Sequence, residues 1–263
     1  MSPRSQARIR LVAAIAVAAA VAVVVAVVLL GRGKPRPTGT LAGPGGTIVS
    51  LGDSVPAGSQ CDCRPFPDLL REDAMRRTGA DTYLLNNADG GVTSTDVLAG
   101  ISGDSSQVVT ALRAATVVTV TVGANDFDEG AADTCDANLD CYGDRITSMQ
   151  RNVAAIVTRI GELSGGKAKV LVTGYWGVFL DGTVGAARGP RYVRTARLLT
   201  QRVNAALAAA AESNSATFVD VDAAFTARVG ADRTSLLASD GDHPNATGHR
   251  LIADALLAAC RCA

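Results

Sequence analysis

The chain has 263 residues, of which 48% are hydrophobic and 19% charged, a balance that suits a globular protein. Its 25 basic and 25 acidic residues cancel, so no charge excess recruits nucleic acid or an acidic partner. Aromatic residues make up only 4%, so the core has to be built mostly from Val, Leu, Ile and Ala.

Residues 1–10 are short and basic, with Arg4, Arg8 and Arg10. Residues 11–30 then form an unbroken apolar run without a charge. An α-helix rising about 1.5 Å per residue needs a run of this length to cross about 30 Å of hydrocarbon. A cleaved signal peptide has a shorter apolar core and a small-x-small site after it, whereas this run ends in Val-Val-Leu-Leu-Gly-Arg. The expectation is an uncleaved signal anchor; secretion after signal cleavage is the alternative. Arg32, Lys34 and Arg36 balance the N-terminal arginines, so charge does not set the orientation. Residues 31–46, rich in Gly and Pro, read as a linker that lifts a domain at 47–263 off the membrane.

All six cysteines lie in that domain: Cys61, Cys63, Cys135, Cys141, Cys260 and Cys262. An even number without a C-x-x-C pair points away from zinc and toward disulfides in an oxidising compartment, which places the domain outside the cytoplasm. Cys135 and Cys141 flank a short polar loop and are the expected pair. Cys61–Cys63 and Cys260–Cys262 are each too close in sequence for easy internal bridging, so long-range partners are expected for them.

From Thr47 onward, strand-like and helix-like segments alternate. Short apolar, β-branched runs predict strands at 47–51, 82–86, 117–122, 169–173 and 217–221. Helices are predicted at 67–78, 95–101, 106–114, 143–163, 190–213 and 246–258. Strands of this kind suit a parallel sheet buried on both faces. Alternation of β and α elements predicts a three-layer α/β/α, doubly wound domain with five parallel strands and right-handed crossovers. In such folds function collects at the carboxyl ends of the strands.

The first strand stops at Gly52-Asp53-Ser54, which leaves Ser54 at a strand tip as either a helix-cap residue or a nucleophile. The second ends in Asn86-Asn87-Ala88-Asp89-Gly90-Gly91-Val92-Thr93-Ser94, where paired glycines let backbone approach a ligand, or where Thr93 or Ser94 simply caps a helix. The third ends in Gly123-Ala124-Asn125-Asp126; the Asn125 amide is ordinary turn chemistry or a donor to a developing oxyanion. Near the C-terminus stands Asp240-Gly241-Asp242-His243-Pro244-Asn245. A turn there can return the Asp240 carboxylate to the imidazole Nδ1 and fix its tautomer. Asp242, one residue from His243, is the weaker rival. Only one other histidine exists, His249, which sits inside the next helix and reads as a surface or packing residue.

These four blocks, in this order and at strand ends, resemble the SGNH hydrolases, also called the GDSL esterase/lipase family. The resemblance covers about residues 47–263; Val55 stands where the family's eponymous motif has Leu. It implies a flavodoxin-like sheet and an extracytoplasmic serine hydrolase that cleaves carboxylic esters through an acyl-enzyme. Ser54 would be the nucleophile, His243 the general base and Asp240 its orienting carboxylate. The oxyanion hole would consist of the Ser54 N–H, the Gly91 N–H and the Asn125 side-chain amide. Asp53 and Asp126 read as structural, holding turns near the site. The mechanism calls for no metal and no organic cofactor. The expected partners are a small-molecule, lipid or glycan ester and the membrane reached through the N-terminal helix, with the protein a monomer. A cell-envelope glycan O-acetyltransferase or deacetylase, or an inactive binding module of the same fold, are the alternatives.

Two further stretches bear on the site. Gly103-Asp104-Ser105 repeats the tripeptide of the first strand end but follows no apolar strand, so it reads as a loop. Tyr175-Trp176-Gly177-Val178-Phe179-Leu180 follows the fourth strand and holds the only Trp; it either lines a substrate pocket or packs a long loop.

Overall fold

The computed structural model describes residues 45–135 and 138–260. Five strands form its centre: β1 (Thr47–Gly52), β2 (Tyr83–Ala88), β3 (Val117–Thr121), β4 (Lys169–Thr173) and β5 (Thr217–Val219). All neighbours run parallel, in the order β2-β1-β3-β4-β5. This is the flavodoxin-like order, with the strand sequence reversing beside β1 and β3. Gly52 is level with Ala88 on one side and Thr121 on the other, so three strands end together. The carboxyl edge they form is where the site is built.

Nine helices among the described residues surround the sheet: α1 (Ser54–Ala57), α2 (Phe66–Thr78), α3 (Ser94–Ser102), α4 (Gln107–Ala114), α5 (Gly143–Ser164), α6 (Gly182–Ala187), α7 (Pro190–Glu212), α8 (Val221–Val229) and α9 (Ala246–Cys260). α5 packs against α3, α4 and α7, while α9 packs against α2 and α8. These two groups supply the outer layers. The sheet is sealed by aliphatic side chains; Val49, Val118, Val120 and Leu171 have no exposed surface. That matches a composition poor in aromatics and rich in β-branched residues, which pack well on a pleated surface buried on both faces.

Helix starts follow local chemistry. Thr93 accepts from the Asp96 N–H while the Asp96 carboxylate accepts from the Thr93 N–H, a reciprocal capping box that opens α3. Ser106 caps α4 through the Val109 N–H, and Asn245 caps α9 through the N–H groups of Thr247 and Gly248.

Three helices, α1, α6 and α8, are absent from the sequence reading. α8 also corrects β5, which stops at Val219: Val221, read as the last strand residue, is the first of a helix that Asp220 caps by accepting from the Ala223 N–H. The cysteines require a second correction. Cys135 and Cys141 are bridged as expected, with Cα atoms 5.7 Å apart. Cys61 and Cys63 are bridged to each other rather than to distant partners, with Cα atoms 5.0 Å apart. Gly58 and Gln60 both have positive φ, so the chain turns sharply just before it enters this bridge. The Cys260–Cys262 pair runs outside the described residues, as do the apolar run at 11–30 and most of the linker. Among the described residues no helix is long and apolar enough to cross a membrane.

Candidate active site

Ser54 is the first residue of α1, immediately beyond β1. The turn that presents it depends on Gly52, whose φ is +149° and whose backbone lies against the Thr121 carbonyl. Asp53 follows, buried, with its N–H donating to that same carbonyl at 3.0 Å. Its Oδ1 accepts from the Val55 N–H at 3.0 Å and so caps α1. Its Oδ2 accepts from the Tyr175 hydroxyl. Burial pushes the Asp53 carboxyl up to about 6, against the lowering effect of the Tyr175 and Val55 donors; the Asp242 carboxylate adds to the rise and His243 opposes it.

His243 arrives from the other end of the chain, just before α9. Its Nδ1 lies 2.7 Å from Asp240 Oδ2. Asp240 Oδ1 accepts from the N–H groups of Asp242 and His243, at 3.0 and 3.1 Å. Burial works against the Asp240 charge, but these backbone donors and the imidazole outweigh it and hold the carboxyl below its ordinary value. An ionised Asp240 accepts a hydrogen bond from Nδ1–H, which puts the imidazole lone pair on Nε2. Nε2 is buried and makes no hydrogen bond to the described residues. The rival Asp242 stands 3.7 Å from Nδ1, beyond hydrogen-bond distance. Burial, with Asp240 beside it, raises the Asp242 carboxyl, while His243 lowers it.

Ser54, Asn125 and His243 border one pocket of about 150 Å³. Asn125 lies in the single turn Ala124–Asp126 after β3, and its side-chain amide donates to the Val92 carbonyl at 3.0 Å. This ties the third strand end to the second. Gly91 is not on the pocket wall; it lies beside it, between Val92 and Gly90, where a Cβ on Gly90 would come 4.0 Å from Ser54 Cβ. Its φ of +82° explains why a glycine is used there. Asp126 accepts from the Ser94 N–H and hydroxyl at 2.9 and 2.6 Å, so it fastens the start of α3 under the Asn125 turn. Burial raises its carboxyl, and the Ser94 donors oppose that rise.

The segment after β4 both packs and lines the pocket. Tyr175, Trp176, Val178 and Phe179 are buried and border it with Ser54 and His243, and Trp176 stacks on Phe225 at 4.9 Å between ring centroids. Glu129 also reaches the wall, held by the Tyr192 hydroxyl at 2.6 Å and by Arg188 at 3.1 Å. Neither Glu129 nor the Asp53–Tyr175 contact is legible in the sequence: Asp53 and Tyr175 are 122 residues apart. His249 is a packing residue, not a surface one. It is fully buried, its Nδ1 accepts from the Phe66 N–H at 3.3 Å, and burial, helped by His243, lowers it to about 4. The repeat tripeptide at Gly103 is an exposed loop whose Asp104 pairs with Arg159.

Comparison with known proteins gives the family and the fold. A family model described as GDSL-like Lipase/Acylhydrolase matches residues 50–251. No curated protein matches the chain. Among solved structures, a lipase from a goat rumen metagenome superposes with a TM-score of 0.64 at 18% identity, covering 81% of this chain and 96% of its own. The acetylxylan esterase of Geobacillus stearothermophilus gives 0.60 at 18% identity, over 84% of this chain and 97% of its own. An α/β hydrolase enzyme from the metagenome of Lake Arreo gives 0.59 at 22% identity, over 85% and 99%. At these identities the structures share the fold.

Proposed function

The chain belongs to the GDSL-like lipase/acylhydrolase family and is a carboxylic ester hydrolase, and from that premise we propose that it works through an acyl-enzyme on Ser54, outside the cytoplasm. The observation that carries the reading is the Asp240–His243 pair at 2.7 Å, on the same small pocket as Ser54. In this reading Ser54 Oγ attacks the ester carbonyl carbon and gives its proton to His243 Nε2. Asp240 holds Nδ1–H and stabilises the imidazolium. The oxyanion takes hydrogen bonds from the Ser54 N–H, the Gly91 N–H and the Asn125 amide, which swings from Val92 or uses its second N–H. Collapse expels the alcohol, protonated by His243. Water activated by the same imidazole then attacks the acyl carbon and frees Ser54.

The pocket volume favours a short acyl group. A cavity of about 150 Å³ is small for a ligand site and takes an acyl chain of a few carbons. Its polar walls, Glu129, Asn125 and Asp242, suit a hydroxylated alcohol, so acetylated sugars such as the substrate of the acetylxylan esterase belong among the candidates. The test is hydrolysis of nitrophenyl esters of graded chain length and of acetylated sugars. Acetyl and butyryl esters should turn over at least about tenfold faster than palmitoyl ones, and Ser54→Ala should abolish both turnover and fluorophosphonate labelling. Full activity in Ser54→Ala would remove the serine from the mechanism.

The run at 11–30 would anchor the enzyme, as a monomer, with its catalytic domain on the outer side; signal cleavage would release it instead. The bridged Cys61–Cys63 and Cys135–Cys141 pairs support an oxidising compartment.

A further inference from the structure

We propose that Tyr175 is a positioning residue for the nucleophile: its hydroxyl fixes the Asp53 carboxylate, and that carboxylate fixes the turn from which Ser54 projects. This rests on the reading of Ser54 as the nucleophile and extends it to a residue 121 positions away that need not touch the substrate.

Asp53 has two side-chain partners. One oxygen holds the Val55 N–H and the other the Tyr175 hydroxyl. Both residues are buried, and among the described residues no arginine or lysine forms an ion pair with the carboxylate; the charged groups that act on it most are Asp242 and His243. The phenol is therefore the strongest neutral donor supporting a buried negative charge directly beneath Ser54. Tyr175 is itself locked. Its N–H donates to Asn204 Oδ1 at 2.9 Å and its carbonyl accepts from Asn204 Nδ2 at 2.8 Å, so one asparagine of α7 clamps its backbone. A rigid β4 end thus reaches across β3 to set the N-terminal turn of α1. That turn carries both Ser54 Oγ and the Ser54 N–H of the proposed oxyanion hole. A hydrogen bond to the charged form of a carboxylate stabilises that form. Burial raises the Asp53 carboxyl and the phenol lowers it, with a net value of about 6, so losing the phenol would leave the cap less ionised at mildly acid pH. Burial and Asp53 hold the phenol's own proton on well into alkaline pH, with Asp126 adding to the effect, so it remains a donor throughout.

The experiment uses the purified full-length protein and nitrophenyl acetate. Tyr175→Phe keeps the ring and removes the hydroxyl. It should lower kcat about tenfold with KM nearly unchanged and move the acid limb of kcat/KM upward by about one pH unit. Incorporation of 3-fluorotyrosine at 175 supplies a more acidic donor of nearly the same size and should move the limb downward. If Tyr175→Phe fails to fold, as judged by circular dichroism, the fluorinated protein decides alone. A limb that stays in place, with activity lost equally at every pH, overturns the proposal. In an Asp53→Asn background Tyr175→Phe should move the limb no further; a shift there would mean that Tyr175 acts on His243 directly, which also overturns it. A wild-type protein that neither hydrolyses esters nor labels at Ser54 would sink the nucleophile reading itself, and that result is visible before any variant is made.

Discussion

Asp240 and Asp242 both face the His243 imidazole, at 2.7 and 3.7 Å from Nδ1. The three-residue separation of Asp240 lets the turn bring its carboxylate back, with both backbone N–H groups of the turn bonded to its other oxygen. Asp242 lacks that return path. Asp240→Asn removes the charge that stabilises an imidazolium and presents an amide that can select the wrong tautomer. We expect kcat/KM for nitrophenyl acetate to fall by about 10²–10⁴-fold. Asp242→Asn should stay within about tenfold of wild type, since the lost carboxylate makes no hydrogen bond to the ring. Equal losses in the two variants would assign the orienting role to neither alone. The sequence made this pair legible because a carboxylate three residues before a histidine, at a turn, has a simple geometric route back to Nδ1. It could not show Tyr175: a tyrosine following a buried strand reads as core, and nothing local marks its hydroxyl as the donor to Asp53.

At the scale of elements, the β1–α1 junction is held by a single backbone conformation. Gly52 has a φ of +149°, and a Cβ there would lie 2.0 Å from the Thr121 carbonyl oxygen. Gly52→Ala must therefore displace β3 or the turn, and the Asp53 N–H bond to Thr121 would go with it. A loss of about 3 kcal/mol or more in chemical denaturation is expected, with esterase activity falling further than stability alone explains. Stability within about 0.5 kcal/mol of wild type would show that the turn relaxes freely. The long elements were legible because their signals agree: β-branched runs for the strands, and cap residues such as Thr93 and Asn245 at helix starts. The missed helices had weaker signals. α1 is four residues long and contains Pro56, and α6 has Gly182 and Gly185 inside it. α8 begins at Val221 in a stretch that continues the strand's apolar character, and only the Asp220 cap betrays the change of period.

For the molecule as a whole, two buried titratable groups act on stability in opposite directions as pH changes. Asp53 is raised from 3.8 to about 6 by burial. The folded state therefore binds the extra proton, and stability attributable to Asp53 falls by about 3 kcal/mol as pH rises through that window. His249 is lowered from 6.5 to about 4, again chiefly by burial. Here the unfolded state binds the extra proton, so stability rises with pH by about 3 kcal/mol between about 4 and 6.5. The two slopes largely cancel across mildly acid pH, so this pair leaves the wild type nearly level where each group alone would tilt it. Replacement of one should expose the other. The stability of wild type minus that of His249→Gln should grow as pH rises across the His249 window. The stability of wild type minus that of Asp53→Asn should shrink across the Asp53 window. Urea denaturation at half-unit pH steps measures both differences. Groups common to wild type and variant cancel in the subtraction, so a flat difference for either variant would show that its folded and unfolded states hold that proton equally, whatever its burial.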